Sequence, residues 1–222
     1  MAKFIYLIMN ELSKILLNNF CHYKFIFVKK ILFLAFTLLL NLPISAQNID
    51  IDILKNINQN RNQKLDKTFE NFSKSTYPIS LATPIGLFGI GLVKKDKNLQ
   101  RQGLTSLASL TVSMGTTYLL KKIVNRERPA ITYSFIQTSI IEKDPSFPSG
   151  HTTAAFSTAT SLSLAFKKWY VVVPSYAWAS TVAYSRLHLG VHYPSDILAG
   201  AAIGAGSAWL SYKANRWLQR KK

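Results

Sequence analysis

Five stretches of the chain carry no Lys, Arg, Asp or Glu: residues 75–93, 102–120, 145–166, 169–185 and 197–212. A charge at the centre of a membrane helix costs at least about 2.5 kcal/mol, so its repeated absence over helix-length segments is informative. At a rise of 1.5 Å per residue these segments reach roughly 22–30 Å, close to the hydrocarbon core of a bilayer. Segment 102–120 contains seven Ser or Thr residues where a soluble surface helix would expose Lys and Glu. Small hydroxyl side chains suit close helix packing instead, and Gly200 and Gly204 repeat the small-residue pattern in the last segment.

Ahead of these, Ile51, Leu54 and Ile57, then Leu65, Phe69 and Phe72, recur at helical spacing in a stretch of mixed composition. This predicts amphipathic surface helices over 47–77, followed by a helical bundle over 78–212 and a basic tail over 213–222. Residues 29–47, KKILFLAFTLLLNLPISAQ, have two lysines, an apolar run, Pro43 and a small Ala46. That is the layout of a secretory signal, so 1–46 is expected to be a signal peptide or an uncleaved first membrane helix.

The composition supports a membrane setting: 48% apolar and only 17% charged, against roughly 25% charged in an ordinary soluble domain. The net charge of +17 does not come from one interleaved basic and aromatic patch, and nucleic acid is not an expected partner. The basic joints 94–101, 167–168 and 213–222 alternate with the joints 121–144 and 186–196. If the first set is cytoplasmic, the positive-inside rule holds throughout, and the other two joints face the periplasm. A segment delivering Gln47 outward gives the same orientation. The single cysteine, Cys21, excludes a disulfide framework and a cysteine-based metal cluster.

The outward joints concentrate the scarce titratable groups. The first begins KKIVNRERP, 121–129, and ends PSFPSGH, 145–151. Ser149 is placed to cap the helix that follows, and the backbone N–H groups of Ser149, Gly150 and His151 then form an anion cradle. The second is SRLHLGVHYPSD, 185–196. His188, His192 and Asp196 at i, i+4 and i+8 would line one face of a continuous helix as a metal site, but Gly190 and Pro194 argue against that helix; a new helix is expected to start near Pro194, with His188 on a loop. What remains is His192 with Asp196 placed to orient it, an imidazole prepared as a nucleophile.

Together these joints give Lys121, Arg128-Pro129, Pro148-Ser149-Gly150-His151, Ser185-Arg186, His192 and Asp196, in that order. The combination resembles the type 2 phosphatidic acid phosphatase superfamily, whose three-part motif is matched at all eleven specified positions. The resemblance implies an all-α bundle of about five to six mostly membrane-embedded helices, with the site at the periplasmic helix ends. It also implies hydrolysis of a phosphate ester through a phosphohistidine, often on a lipid. His192 would attack phosphorus, Asp196 would orient it, and His151 would protonate the leaving oxygen and then activate water. Lys121, Arg128, Ser149, Gly150 and Arg186 would bind the phosphate.

No metal, cofactor or obligate protein partner is expected; the expected partners are the membrane and a lipid phosphate monoester or diphosphate. Competing readings are a soluble periplasmic acid phosphatase, a vanadium haloperoxidase of the same superfamily, and a non-catalytic membrane scaffold. His188 lies outside the motif and has no assigned role.

Overall fold

Several helix boundaries in the computed structural model, which describes residues 43–220, have a local cause. Helix α1 spans Pro43–Gln59, α2 Asp66–Val93, α3 Lys97–Val124, α4 Gly150–Phe166, α5 Trp169–His188 and α6 Pro194–Arg220. Asp66 stands in the first turn of α2, where a carboxylate complements the helix dipole. The Asp96 carboxylate caps α3 by accepting from the amides of Asn98 at 2.9 Å and Leu99 at 3.1 Å. Asn125 closes α3 in a left-handed conformation, φ 45°. The described residues are helical or irregular and contain no strand.

From Ile49 onward the chain forms one compact unit. Helix α4 is its centre: it packs most extensively against α6 and also meets α2, α3 and α5. Its inward positions explain this, because Thr152, Thr153, Ala154, Ala155, Ser157, Thr158 and Ala159 are all buried and all small. A Cβ on Gly204 would run into the Thr153 carbonyl of α4, and one on Gly200 would lie 2.7 Å from the Ser149 carbonyl. The α4–α6 approach therefore needs glycine at both positions.

Hydroxyl pairs replace bulky side chains across the other seams. Ser109 and Ser157 are joined at 2.7 Å, Thr117 donates to Thr153 at 3.2 Å, and Ser80 donates to the Ala154 carbonyl at 3.3 Å. Ser109 and Thr117, with the likewise buried Ser106 and Ser113, make up four of the seven Ser and Thr residues of segment 102–120.

Several expectations change at their edges. Residues 66–77, expected as surface helix, are the first part of bundle helix α2. The apolar positions Phe69 and Phe72 run into the uncharged segment without a break, and Pro78 and Pro84 sit within the helix rather than ending it. The basic tail is helical as far as Arg220, an extension of α6. The signal-sequence expectation for 1–46 falls largely outside the described residues. Among the described residues one helical stretch, Gln63–Val93, is apolar and long enough to cross a membrane, with a mean hydropathy of 1.4. The hydroxyl-rich seams lower the hydropathy of the other helices.

Residues 49–59 of helix α1 pack on the end of the bundle formed by residues 121–149 and 186–196. Leu54 is fully buried in a cluster with Ile136 and Tyr193, flanked by Ile51 and Leu187. Asn58 clasps the same region: its amide nitrogen donates to the Gln137 carbonyl at 2.8 Å, and its oxygen accepts from the Gln137 amide at 2.8 Å.

Candidate active site

The end of α3, the start of α4, the end of α5 and the start of α6 bring the motif residues to one end of the bundle. Arg128 lies just before Pro129, which holds it extended, ψ 151°, ahead of a single helical turn over Pro129–Thr132. The chain returns through 133–149, tied back by the Ser146 amide donating to the Arg126 carbonyl at 2.8 Å. On the other side α5 stops at His188, and Gly190 turns the backbone with φ 69°, the left-handed region that glycine enters at no steric cost. Pro194 then opens α6 as the sequence led us to expect.

The break over 189–193 removes the continuous helix that a three-ligand metal face would need. His188, His192 and Asp196 do not share a continuous helix face. His188 is the last residue of α5, not a loop residue, and its Nε2 lies 2.8 Å from Asp66 Oδ1, with Phe69 against its ring. Arg61 pairs with the same carboxylate at 3.2 Å. His188 therefore joins α5 to the start of α2.

His192 is 1% exposed and Asp196 is fully buried. The imidazole Nδ1 faces Asp196 Oδ2 at 3.3 Å and the Ser146 hydroxyl at 3.4 Å. Asp196 Oδ2 also accepts from the Tyr193 amide at 2.9 Å and from Ser146 Oγ. On the far side of the ring, Nε2 lies 3.3 Å from the Arg128 guanidinium, which has only donors to offer. The consistent tautomer carries its proton on Nδ1 and leaves the Nε2 lone pair facing the cations. Burial is the strongest influence on this imidazole and pushes its pKa down; the bond to Asp196 pulls it up, and Arg186 and Arg128 push it down again, leaving it at about 4. His192 is thus neutral at pH 7.

The three cations of the motif are present and tightly held. Arg128, 4% exposed, donates to the Val191 carbonyl at 2.9 Å and pairs with Glu142 at 2.6 Å and Asp144 at 2.8 Å. Arg186, 1% exposed, is bonded to Ser73 and to Glu142, while its buried Nε has no hydrogen-bond partner. Lys121 pairs with Asp144 at 2.9 Å and donates to the Pro145 carbonyl. Two carboxylates from segment 142–144 thus meet all three cations. Burial alone would raise both carboxyls, but Arg186 and Arg128 hold Glu142 below the usual range, and Lys121 with Arg128 brings Asp144 to about 2.

Beside this cluster a cavity of about 400 Å³ is lined by Tyr77, Tyr118, Lys121, Arg128, Glu142 and His151, among others. The His151 ring stacks at a tilt on Tyr77, centroids 4.7 Å apart. His192 is not among the lining residues and lies behind Arg128.

The expected anion cradle at the start of α4 needs one correction. The Ser149 amide donates to the Asp196 carbonyl at 3.1 Å, and its hydroxyl accepts from Thr152, so the Ser149 N–H is already engaged. The amides of Gly150 and His151, in the first turn of α4, remain for an anion. Sequence reasoning also passed over Ser146, Glu142, Asp144, Arg126 and Asp50. Arg126 lies just beyond the end of α3 among other basic residues, and the carboxylates have no local pattern to mark them.

A buried imidazole held by a carboxylate, three clustered cations and a helix N-terminus thus meet at one end of a helical bundle. The chain belongs to the PAP2 superfamily, whose family model matches residues 102–220. It is 28% identical over 188 residues to an undecaprenyl-diphosphatase of Sulfolobus acidocaldarius, covering 82% of this chain and 85% of that one. It is 44% identical over 66 residues to a lipid A 4'-phosphatase of Bacteroides thetaiotaomicron, a match spanning 30% of this chain and 29% of that protein. Among solved structures, Aquifex aeolicus LpxE superposes with a TM-score of 0.64 at 26% identity, covering 74% of this chain and 95% of that one. A transmembrane PAP2-type phosphatidylglycerolphosphate phosphatase from Bacillus subtilis shares the fold, with a TM-score of 0.68 at 22% identity over 88% of this chain and 98% of that one.

Proposed function

We propose that the protein is an integral membrane phosphatase that hydrolyses a lipid phosphate monoester or diphosphate at the periplasmic face through a phosphohistidine. The observation that carries this reading is the buried His192, with Nδ1 on Asp196 and Nε2 turned toward Arg128. In the first step Nε2 attacks phosphorus, the bond to the leaving oxygen breaks, and His151, protonated by the incoming phosphate monoanion, gives that oxygen its proton. In the second step His151 takes a proton from water as the water attacks phosphorus, the N–P bond breaks, and His192 is restored with free phosphate.

Phosphoryl transfer is largely positioning plus neutralisation of the equatorial oxygens. Lys121, Arg128 and Arg186 supply that charge, with the amides of Gly150 and His151 at the helix terminus. An arriving phosphoryl group displaces the Glu142 and Asp144 carboxylates from these cations. Family relatives named for lipid A and undecaprenyl diphosphate support a lipid substrate.

A membrane location is favoured over a soluble acid phosphatase by the outward side chains. Ile85 is 61% exposed, Leu119 60%, Val173 59% and Leu198 72%, an apolar surface spread over α2, α3, α5 and α6. Carbonate extraction should leave the protein in the membrane fraction. The purified protein should release phosphate from at least one of a phosphatidate, a polyprenyl diphosphate and a lipid A phosphate, and do so faster than from p-nitrophenyl phosphate. Extraction into the supernatant, with the soluble ester preferred, overturns the lipid reading.

The position of His192 also sets a pH dependence. Its neutral form is the reactive one, and its pKa lies at about 4, below the ordinary histidine value. Activity therefore persists through pH 5 and is lost as pH falls through about 4. In the free enzyme, kcat/KM reports this group once corrected for ionisation of the substrate. A break near pH 6.5 would show an unperturbed imidazole and remove the burial argument.

A further inference from the structure

We infer that Arg126 and Asp50 are positioning residues for the same reaction, fixing the Asp196 carboxylate and through it the His192 imidazole. Helix α1, which lies outside residues 102–220, is then a working part of the site. The inference rests on the reading of His192 as nucleophile.

Asp196 uses its two oxygens differently. Oδ2 faces His192, the Tyr193 amide and Ser146, whereas Oδ1 takes the Arg126 guanidinium at 2.8 Å. Asp196 is fully buried, so without Arg126 that oxygen would be a charged acceptor without its partner, free to rotate or to take up a proton. The same Arg126 nitrogen donates to Ser195 Oγ at 2.7 Å, and its guanidinium carbon lies 3.7 Å from the centre of the Tyr193 ring. The guanidinium plane is thus fixed from three sides.

Arg126 alone would be a full cation against the carboxylate that must hold the Nδ1 proton. Asp50 prevents this. It is 7% exposed, takes the other guanidinium nitrogen at 2.8 Å, accepts from the Ser195 amide at 2.8 Å, and bonds the Ser195 hydroxyl. The guanidinium is shared between two carboxylates, so Asp196 is aimed without being neutralised. A lysine ammonium is a point charge and does not present this planar bridge.

The test compares Asp50→Asn and Arg126→Lys with Asp52→Asn, an exposed position on the same helix, in the full-length membrane protein. Rates are measured per competent site, with sites counted by orthovanadate binding. Both substitutions should lower kcat by about ten-fold or more with KM little changed, as expected for an interaction that orients the reacting group, while Asp52→Asn stays at the wild-type rate. In the 15N spectrum of His192 the Nδ1–H tautomer should dominate in wild type and lose population in both variants.

Unchanged kcat per competent site in both variants overturns the inference, as does a loss confined to the number of sites. Absence of phosphate release by the wild type from every lipid phosphate sinks the proposed activity instead. The His192 spectra then still decide positioning: an unaltered tautomer in both variants overturns it, and a shifted one upholds it.

Discussion

Replacing His192 by alanine abolishes turnover, lowering phosphate release at least about a thousand-fold, because no other group can form the covalent intermediate. Wild-type protein quenched during turnover carries phosphate on the chain in an acid-labile bond, and His192→Ala carries none. His151→Ala separates the two steps. With p-nitrophenyl phosphate, whose leaving group departs without a proton, the first step survives and the second, which needs a base for water, is slow. Phosphoenzyme should therefore accumulate in His151→Ala above its wild-type level.

The controls lie in the structure. His192 is 1% exposed and makes its bonds to Asp196, Ser146 and Arg128, so alanine leaves Asp196 with its Arg126, Tyr193 and Ser146 partners. The fold should persist, and orthovanadate binding by the cations should remain measurable though weaker. His192→Ala activity within ten-fold of wild type, or phosphoenzyme in that variant, would sink the mechanism.

What the sequence revealed and concealed follows from how local each determinant is. The motif residues lie on short segments whose spacing and helix signals are readable, so Pro194 as a helix start and Ser149 as a cap could be placed from the local sequence alone. The partners that complete the site arrive from far away in the chain. Asp50 meets Arg126 and Ser195 from 76 and 145 residues away in the chain, and Glu142 reaches Arg186 from a segment with no periodicity to register its position. Ser149 shows the converse: its N–H was an obvious cradle donor until the fold brought the Asp196 carbonyl against it. His188 was unassigned because its partner, Asp66, lies at the start of a helix whose first turns read as a separate surface element. The uncharged segments gave the helices themselves, but Ser and Thr within them serve as seams, which hydropathy counts as polar.

Arg186→Met gives the second large effect, and it has two origins that a paired substitution separates. Arg186, 1% exposed, is bonded to Ser73 and to Glu142, whose side chain is 18% exposed. Removing the guanidinium strands a largely buried carboxylate with Arg128 as its remaining cation, a loss of about 3 kcal/mol on the scale of broken buried pairs. It also removes a donor from the phosphoryl oxygens, worth about 100- to 1,000-fold in kcat/KM. In Arg186→Met/Glu142→Gln the stranded charge is gone, so the thermal midpoint should recover most of its fall. Activity should not recover, because the missing cation acts on the transition state rather than on the resting fold. Glu142→Gln alone should bind orthovanadate more tightly than wild type, since a carboxylate that competes for Arg128 and Arg186 has been neutralised. Recovery of activity together with stability in the double variant would mean that Arg186 serves only as the counter-ion of Glu142, and Lys121 and Arg128 would then be the cations that serve the phosphate.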